Sequence, residues 1–215
     1  MKIEIKNLCK TIKNKIILDN INLTLNDSLI YGFYGRNASG KTMLFRAICG
    51  LITPSQGTIE INGNMVTDSS TEYLNVGALI ENPRFWDNYT AFENLKSLSL
   101  IRNIIKDEDI INTLSRVGLD PYSKEKVKQF SLGMKQKLGI AQAIMEKPDL
   151  LILDEPTNAL DEESVDNIRK ILIEEKNRGT IILIASHNKE DINLLCDKKF
   201  KIMNGKIEVN NNEEI

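Results

Sequence analysis

The period of the hydrophobic positions changes along the chain. Over the first 35 residues it is close to two. "KIEIKNL" alternates, "IILDNINLTL" alternates in part, and both read as half-buried strands. "LIYGFYG" is an apolar run that ends in glycine, and "GKTMLFRAICGL" reads as a helix with Gly50 near its end. "GTIEING" is a short strand between turn residues. From about Pro83 to Phe130 helical patterns dominate. "TAFENL" carries a capping box, with Thr90 as N-cap and Glu93 three residues on, and Gly118 ends a later helix at "TLSRVGLD". The stretch "QFSLGMKQKLGIAQAI" then predicts another amphipathic helix.

From Pro148 the pattern returns to strand, helix, strand. "DLLILD" and "TIILIAS" are continuous apolar runs, as expected for parallel strands buried on both faces. Between them "SVDNIRKILIEEKNRG" is an amphipathic helix that stops at Gly179. "KFKIMNGKIEV" predicts a hairpin closed by Asn204-Gly205, and the polar tail "NNNEEI" is expected to fray. No internal repeat or flexible linker is visible.

A chain of 215 residues suits one domain and can bury a sizeable core. Its net charge of −2 offers no broad basic surface, so charge gives no reason to expect a nucleic-acid partner. Cys9, Cys49 and Cys196 are odd in number and scattered, which suits reduced thiols and not a disulfide frame or zinc site. No signal pattern is seen, and no apolar run approaches a membrane span. Any service to a membrane is expected to run through a partner.

Candidate chemistry is concentrated in three places. "GRNASGKT", Gly35 to Thr42, fits G-x-x-x-x-G-K-[ST] and has the context that motif requires, an apolar strand before it and a helix after it. Its glycines let backbone N–H groups curl around phosphate oxygens, and the helix N-terminus adds its positive end. Lys41 would reach the β- and γ-phosphates, and the Thr42 hydroxyl would ligate Mg²⁺. At the end of the buried strand "LLILDEP", Asp154 would hold that metal through water, and Glu155 would polarise the attacking water. The only histidine, His187, ends the next buried strand, where ligands of open α/β sheets sit, and is read as a γ-phosphate contact.

The helix start at Ser131 is harder to place. Lys135 and Lys137 occupy first turns where the helix dipole disfavours positive charge. No nucleophile–base pair and no metal-ligand cluster accompanies it.

Taken together, these motifs resemble the nucleotide-binding subunit of ABC transporters over essentially the whole chain. "GRNASGKT" resembles the Walker A motif and "LLILDE" the Walker B motif. "FSLGM" resembles the family signature, usually LSGGQ, while "NALD" resembles the D-loop and "SH" the switch histidine. The phrases "GALIENP", "TAFENL" and "SLGMKQKLGIA" resemble the bacitracin-resistance and lantibiotic-immunity branch.

The resemblance implies an α/β fold with a P-loop NTPase (RecA-like) core, an N-terminal antiparallel β subdomain and an α-helical signature subdomain. The whole of 1–215 would be one domain, with a helical insertion at about 83–146. ATP and Mg²⁺ would be bound by Gly35, Arg36, Asn37, Ala38, Ser39, Gly40, Lys41, Thr42 and Met43, with Asp154 at the metal. Catalytic roles fall to Glu155, His187 and Glu81, and Glu81 is a metal ligand too. The signature residues Ser131, Leu132, Gly133 and Met134 would serve the nucleotide of a second ATP-binding subunit, alike or related, beside the D-loop residues Asn158, Ala159, Leu160 and Asp161. A separate transmembrane permease would hold the pair at the cytoplasmic face of the membrane. The branch implies export, or removal from the membrane, of a peptide or another amphipathic compound.

Several positions depart from the family pattern. Leu132 replaces the first signature glycine and Met134 the usual glutamine. Ile12 falls where an aromatic residue normally stacks on adenine, and Ser28-Leu29 replaces the usual Gly-Glu. Glu81 stands where a glutamine normally reaches Mg²⁺ and the lytic water. Phe85, Trp86 and Tyr89 either line the groove for the permease or pack within the helical subdomain. Three rival readings are an ABC ATPase acting on DNA or ribosomes, a P-loop kinase, and a regulatory module that binds ATP with slow turnover. The first would carry a coiled-coil insertion or tandem cassettes and the second would lack a signature helix. Glu155 and His187 argue against the third.

Overall fold

Strand β1 (Lys2–Ile12) pairs antiparallel with β2 (Lys15–Asn26) on one side and β4 (Gln56–Ile61) on the other. With the short β5 (Asn64–Met65) they form a four-stranded antiparallel sheet in the order β2-β1-β4-β5. The computed structural model describes residues 1–26, 28–66, 75–187 and 189–208. The tail 210–215 and the last residue of the predicted hairpin, Val209, lie outside the described residues. Alternation buries Ile3, Ile5 and Leu8 from β1 against Leu18, Ile21 and Leu25 from β2. The extra residue between Ile5 and Leu8 is absorbed at Asn7, which takes a left-handed φ of 50° and marks a register shift. Asparagine tolerates that conformation, so the inward face continues past the bulge.

The second sheet has six strands in the order β10-β9-β3-β8-β7-β6. They are β3 (Ile30–Tyr34), β6 (Val76–Leu79), β7 (Leu150–Asp154), β8 (Ile181–Ser186), β9 (Lys198–Met203) and β10 (Lys206–Glu208). All pairings are parallel except that of β9 with β10. The apolar runs divide by parity. Leu150 and Ile152, Ile181 and Leu183, Tyr31 and Phe33 enter one core with the antiparallel sheet and with Leu44, Phe45 and Ile48 of α1 (Lys41–Ile48). Leu151 and Leu153, Ile182 and Ile184 enter the other core, built with five further helices. These are α2 (Ala91–Arg102), α3 (Asp107–Arg116), α4 (Leu132–Ile144), α5 (Glu162–Asn177) and α6 (Lys189–Leu195). A strand covered on both faces needs apolar residues at every position, hence the runs without alternation.

The Thr90–Glu93 capping box is present. Glu93 N–H donates to Thr90 Oγ1 at 3.1 Å and Thr90 N–H to Glu93 Oε2 at 2.6 Å. The Asn204-Gly205 hairpin is also present, but β9 additionally joins β3 in parallel. Among the elements not foreshadowed by the hydrophobic pattern are α6 and the edge strand β6. Strand β6 has only four residues, and a Cβ on its Gly77 would lie 1.8 Å from the Ala143 carbonyl oxygen. Its register comes from contact with α4 and β7, which no local period records. All three cysteines are free, and burial pushes the Cys49 thiol up to about 12, so it stays protonated.

Candidate functional site

In a parallel sheet the C-terminal strand ends lie along one edge. Here β3, β8, β7 and β6 are consecutive neighbours, so their ends carry the cradle, His187, Asp154-Glu155 and Glu81 in that order. The four groups that lie far apart in the chain are brought together by this strand order.

The cradle leaves β3 at Gly35 and enters α1 at Lys41. A Cβ on Gly35 would lie 2.1 Å from the Ile202 carbonyl oxygen of β9, so only glycine fits. Ala38 and Gly40 have φ of 60° and 113°, and these two left-handed residues curl the loop. Gly205 N–H donates to Ser39 O at 2.9 Å, and the Gly205 carbonyl accepts from Asp19 N–H at 2.9 Å, tying the loop to β2 and to the C-terminal hairpin. Lys41 is 5% exposed, and its ammonium donates to the Gly35 carbonyl at 2.9 Å and the Arg36 carbonyl at 3.4 Å. Thr42 Oγ1 donates to Asp154 Oδ2 at 2.6 Å.

Two cavities share the wall Asn37–Ser39. One of about 940 Å³ lies towards β9 and His187. The other, about 420 Å³, is lined by Lys41, Thr42, Met43, Asp154 and Glu155, with Lys15 and Ile17 from β2. The smaller one gathers Lys41, Thr42, Asp154 and Glu155, the groups expected to serve phosphate and metal. The buried Ser39 hydroxyl oxygen has no hydrogen-bond partner among the described residues, as expected of a group kept for a ligand. With the curled backbone, the start of α1 and the Thr42–Asp154 pair, the residues present fit a triphosphate and Mg²⁺.

Asp154 is 7% exposed. Burial raises its pKa above the ordinary carboxylate range, and the Glu155 charge adds to this, while donation from Thr42 acts the other way. A carboxyl whose folded pKa is raised binds its proton more tightly folded than unfolded, so stability falls as pH rises through that range. Asp154→Asn keeps an acceptor for Thr42 without the buried charge. It is expected to raise ligand-free stability at neutral pH by about 1 kcal/mol, the gain typical of relieving a strained site. The gain should close as pH falls below about 4, where free aspartate is also protonated. Thermal melts of both proteins across pH check this, and a gain that grows towards acid would contradict it.

Glu155 has a φ of 53° at the turn after β7. Its carboxylate accepts from the His187 backbone N–H at 3.0 Å and lies 2.8 Å from His187 Nδ1, and Ser186 Oγ donates to it at 3.3 Å. The acid is thus held at the ends of two adjacent strands. Glu81 also has a left-handed φ, 61°, and its exposed carboxylate pairs with Arg46 in the last turn of α1 at 2.8 Å. It is close enough to Asp154 for its charge to raise the Asp154 pKa.

Ser131 is the N-cap of α4, and its oxygen accepts from Met134 N–H at 3.1 Å. A hydroxyl can do this and still donate its own hydrogen. Ser131 and Leu132 are exposed, Leu132 at 64%, whereas Met134 packs against the core. Gly133 touches the D-loop of its own chain: a Cβ there would lie 2.7 Å from the Ala159 carbonyl oxygen. In that loop Asn158 is exposed, Ala159 has a φ of 62° and Leu160 packs on the core. Asp161 caps α5 by accepting from Ser164 N–H at 2.9 Å, and the Ser164 hydroxyl together with that N–H holds its carboxyl below the usual range. One residue that the motifs do not mark is Gln136. It is 8% exposed on α4, and its amide donates to the Glu155 carbonyl at 2.9 Å and the Pro156 carbonyl at 3.1 Å. The signal available in the sequence was a polar residue on the buried face of a helix. Ile12 lies at the tip of the β1–β2 hairpin, 41% exposed and opposite Lys15, and it is Lys15 and Ile17 that line the cavity.

The family model for ABC transporters matches residues 18–158. This chain belongs to the ABC transporter family. The ABC subunit is 51% identical over 206 residues to the uncharacterized ABC transporter ATP-binding protein YybJ of Bacillus subtilis, covering 96% of this chain and 94% of that protein. It is 41% identical over 207 residues to the bacitracin transport ATP-binding protein BcrA of Bacillus licheniformis, covering 95% and 68%. With the lantibiotic transport ATP-binding protein SrtF of Streptococcus pyogenes it shares 36% over 205 residues, covering 95% and 88%. Among solved structures, an ATP-binding subunit of an ABC transporter superposes with a TM-score of 0.88 at 25% identity, over 97% of this chain and 89% of that one. The subunit is thus an ABC ATP-binding protein of the α/β P-loop class, similar to bacitracin and lantibiotic transport proteins.

Proposed function

We propose that this ABC subunit hydrolyses ATP, with Mg²⁺, at the interface of a head-to-tail pair whose closing and opening drives a separate permease. The pair is formed with a second copy or with a related subunit. The cargo is a peptide antibiotic or another amphipathic compound, exported or removed from the membrane. The observation that carries this reading is the set of strand ends that places Lys41, Thr42, Asp154, Glu155 and His187 around one cavity wall.

Lys41 and the loop N–H groups neutralise the β- and γ-phosphates, and Thr42 and Asp154 hold the metal, with Glu81 as a further candidate ligand. Glu155, oriented by His187 and Ser186, accepts the proton of the attacking water. The exposed start of α4 offers the Ser131 hydroxyl and helix N–H groups to the γ-phosphate of the other subunit. ATP then favours the closed pair because its terminal phosphate gains contacts from both sides only there. Phosphate release removes those contacts.

No described helix is long and apolar enough to cross a membrane, which suits a subunit held at the cytoplasmic face by its permease. Trp86 and Tyr89 are 51% and 44% exposed, ring centroids 5.7 Å apart, on the loop that follows Glu81, while Phe85 packs against the core. The first two are available for a permease contact, and Phe85 supports the loop. No nucleic-acid partner is proposed. The direct test is extraction from native membranes in mild detergent. A co-purifying multispan subunit, with ATP turnover stimulated by a cationic peptide antibiotic, is the expected result. A subunit recovered without a membrane partner and indifferent to such peptides would rule transport out.

Glu81 gives a smaller prediction. Its carboxylate supplies the ligand oxygen a glutamine would, with one more negative charge. At ~5 Å and an effective dielectric near 20, a unit charge pair is worth about 3 kcal/mol. Attraction to Mg²⁺ and repulsion from the γ-phosphate largely cancel, and Arg46 balances part of the charge. Glu81→Gln is therefore expected to change turnover by less than about tenfold, and Glu81→Ala by more. Steady-state hydrolysis across a Mg²⁺ titration compares the two, and equal damage from both would show that the charge itself is needed.

A further inference from the structure

One face of α1 touches two neighbouring strand ends. Thr42 and Arg46 are four residues apart in that helix, so they lie one turn apart on the same face. Thr42 donates to Asp154 at the end of β7, and Arg46 Nη2 lies 2.8 Å from Glu81 Oε2, just past the end of β6. Strands β7 and β6 are adjacent. The helix that begins at the cradle thus reaches both acids assigned to the metal.

The two acids are held differently. Asp154 lines the smaller cavity with Lys41, Thr42 and Glu155, whereas neither Glu81 nor Arg46 lines it. The Glu81 charge is nevertheless felt at Asp154, so the two carboxylates are near each other. Glu81 leaves β6 with a left-handed φ of 61°, which sets the backbone from which its side chain starts. Its carboxylate then rests on Arg46, and among the described residues Arg46 makes no other ion pair.

The strength of this pair decides what it can do. The two side chains are 35% and 56% exposed. A buried pair would be costly to part, whereas an exposed one exchanges readily and shifts an equilibrium by no more than about fivefold. A divalent ion attracts a carboxylate about twice as strongly as a guanidinium at equal distance. Glu81 can therefore pass from Arg46 to a metal held by Thr42 and Asp154, and Arg46 sets part of the metal concentration at which it does so.

We propose that Arg46 is a positioning residue that keeps the Glu81 carboxylate off the metal position until Mg²⁺ and nucleotide compete it away, and so raises the Mg²⁺ concentration the site requires. A glutamine at position 81 would carry no charge to be held in this way. The inference rests on the nucleotide-hydrolysis reading above and adds a residue that tunes the metal dependence of the same site.

The test is binding, not turnover. A ribose-labelled fluorescent ATP analogue is titrated with Mg²⁺ at constant protein concentration, in the Glu155→Gln background where nucleotide is not consumed. The Mg²⁺ concentration that gives half-maximal binding is compared among variants. Arg46→Met keeps an unbranched stem without the charge, and it should lower that concentration by about two- to fivefold. Arg46→Lys restores a cation and should lie closer to the parent than to Arg46→Met. An unchanged or raised value in Arg46→Met overturns the role of Arg46 and leaves the nucleotide site standing. In a Glu81→Ala background, Arg46→Met should have little effect, because no carboxylate is left to release. An equal shift in both backgrounds would be the charge of Arg46 acting through space on the metal, and would overturn the proposal. If Glu81→Ala alone leaves the Mg²⁺ requirement unchanged, Glu81 is no metal ligand and the inference falls with it. If Lys41→Ala binds the analogue as well as its parent does, the nucleotide-site reading itself fails.

Discussion

Lys41→Ala should lose ATP turnover by about 10²- to 10³-fold or more, the usual consequence of removing a preorganised donor from developing charge. Lys41 is 5% exposed and its ammonium is held over the loop by the carbonyls of Gly35 and Arg36, so its position is set before phosphate arrives. Those carbonyls lose one donor in the mutant, a cost of about 1 kcal/mol that leaves the fold standing. Phosphate release and a thermal melt on the same preparation separate the two effects. A folded mutant that turns over ATP at the wild-type rate would remove the central claim.

Glu155→Gln carries the second large effect. The amide keeps an acceptor oxygen for the His187 backbone N–H, so the turn after β7 is retained. It cannot take a proton from water, and turnover should fall by about 10²- to 10⁴-fold. With hydrolysis blocked, the closed pair accumulates. Sizing chromatography should then show a shift from monomer to dimer with ATP and none with ADP. Adding Ser131→Arg should abolish the shift by obstructing the phosphate contact, but it also removes the α4 cap, worth about 1 kcal/mol. Ser131→Asp separates the two causes. Aspartate caps as well as serine, yet it sets a negative charge against the γ-phosphate. The Glu155→Gln, Ser131→Asp protein should melt like its parent and stay monomeric with ATP. Full dimerisation of that protein would refute the role of the signature serine across the interface.

Much of this was legible before the tertiary structure. Unbroken apolar runs identified β3, β7 and β8 because strands covered on both faces leave no polar positions. The cradle motif, the acidic pair after β7 and the capping box at Thr90 are local, since each depends on neighbours within a few residues. The sequence alone thus determined the fold class and the family, and it marked the residues of the cradle and of the acidic strand end.

Other features depend on what each residue meets across the fold. That Gly35, Gly77 and Gly133 must be glycine is decided by the carbonyls of Ile202, Ala143 and Ala159, each far away in the chain. Gln136 is marked by no motif, because its partners are the carbonyls of Glu155 and Pro156. The pairing of Glu81 with Arg46 follows from the end of β6 lying near the last turn of α1. The outer wall of the smaller cavity is formed by Lys15 and Ile17, since the side chains of one strand that share a face are two residues apart and the cradle is packed against β2. Local chemistry is written in short windows of sequence, whereas close approach and orientation arise only when strand order brings distant backbone together.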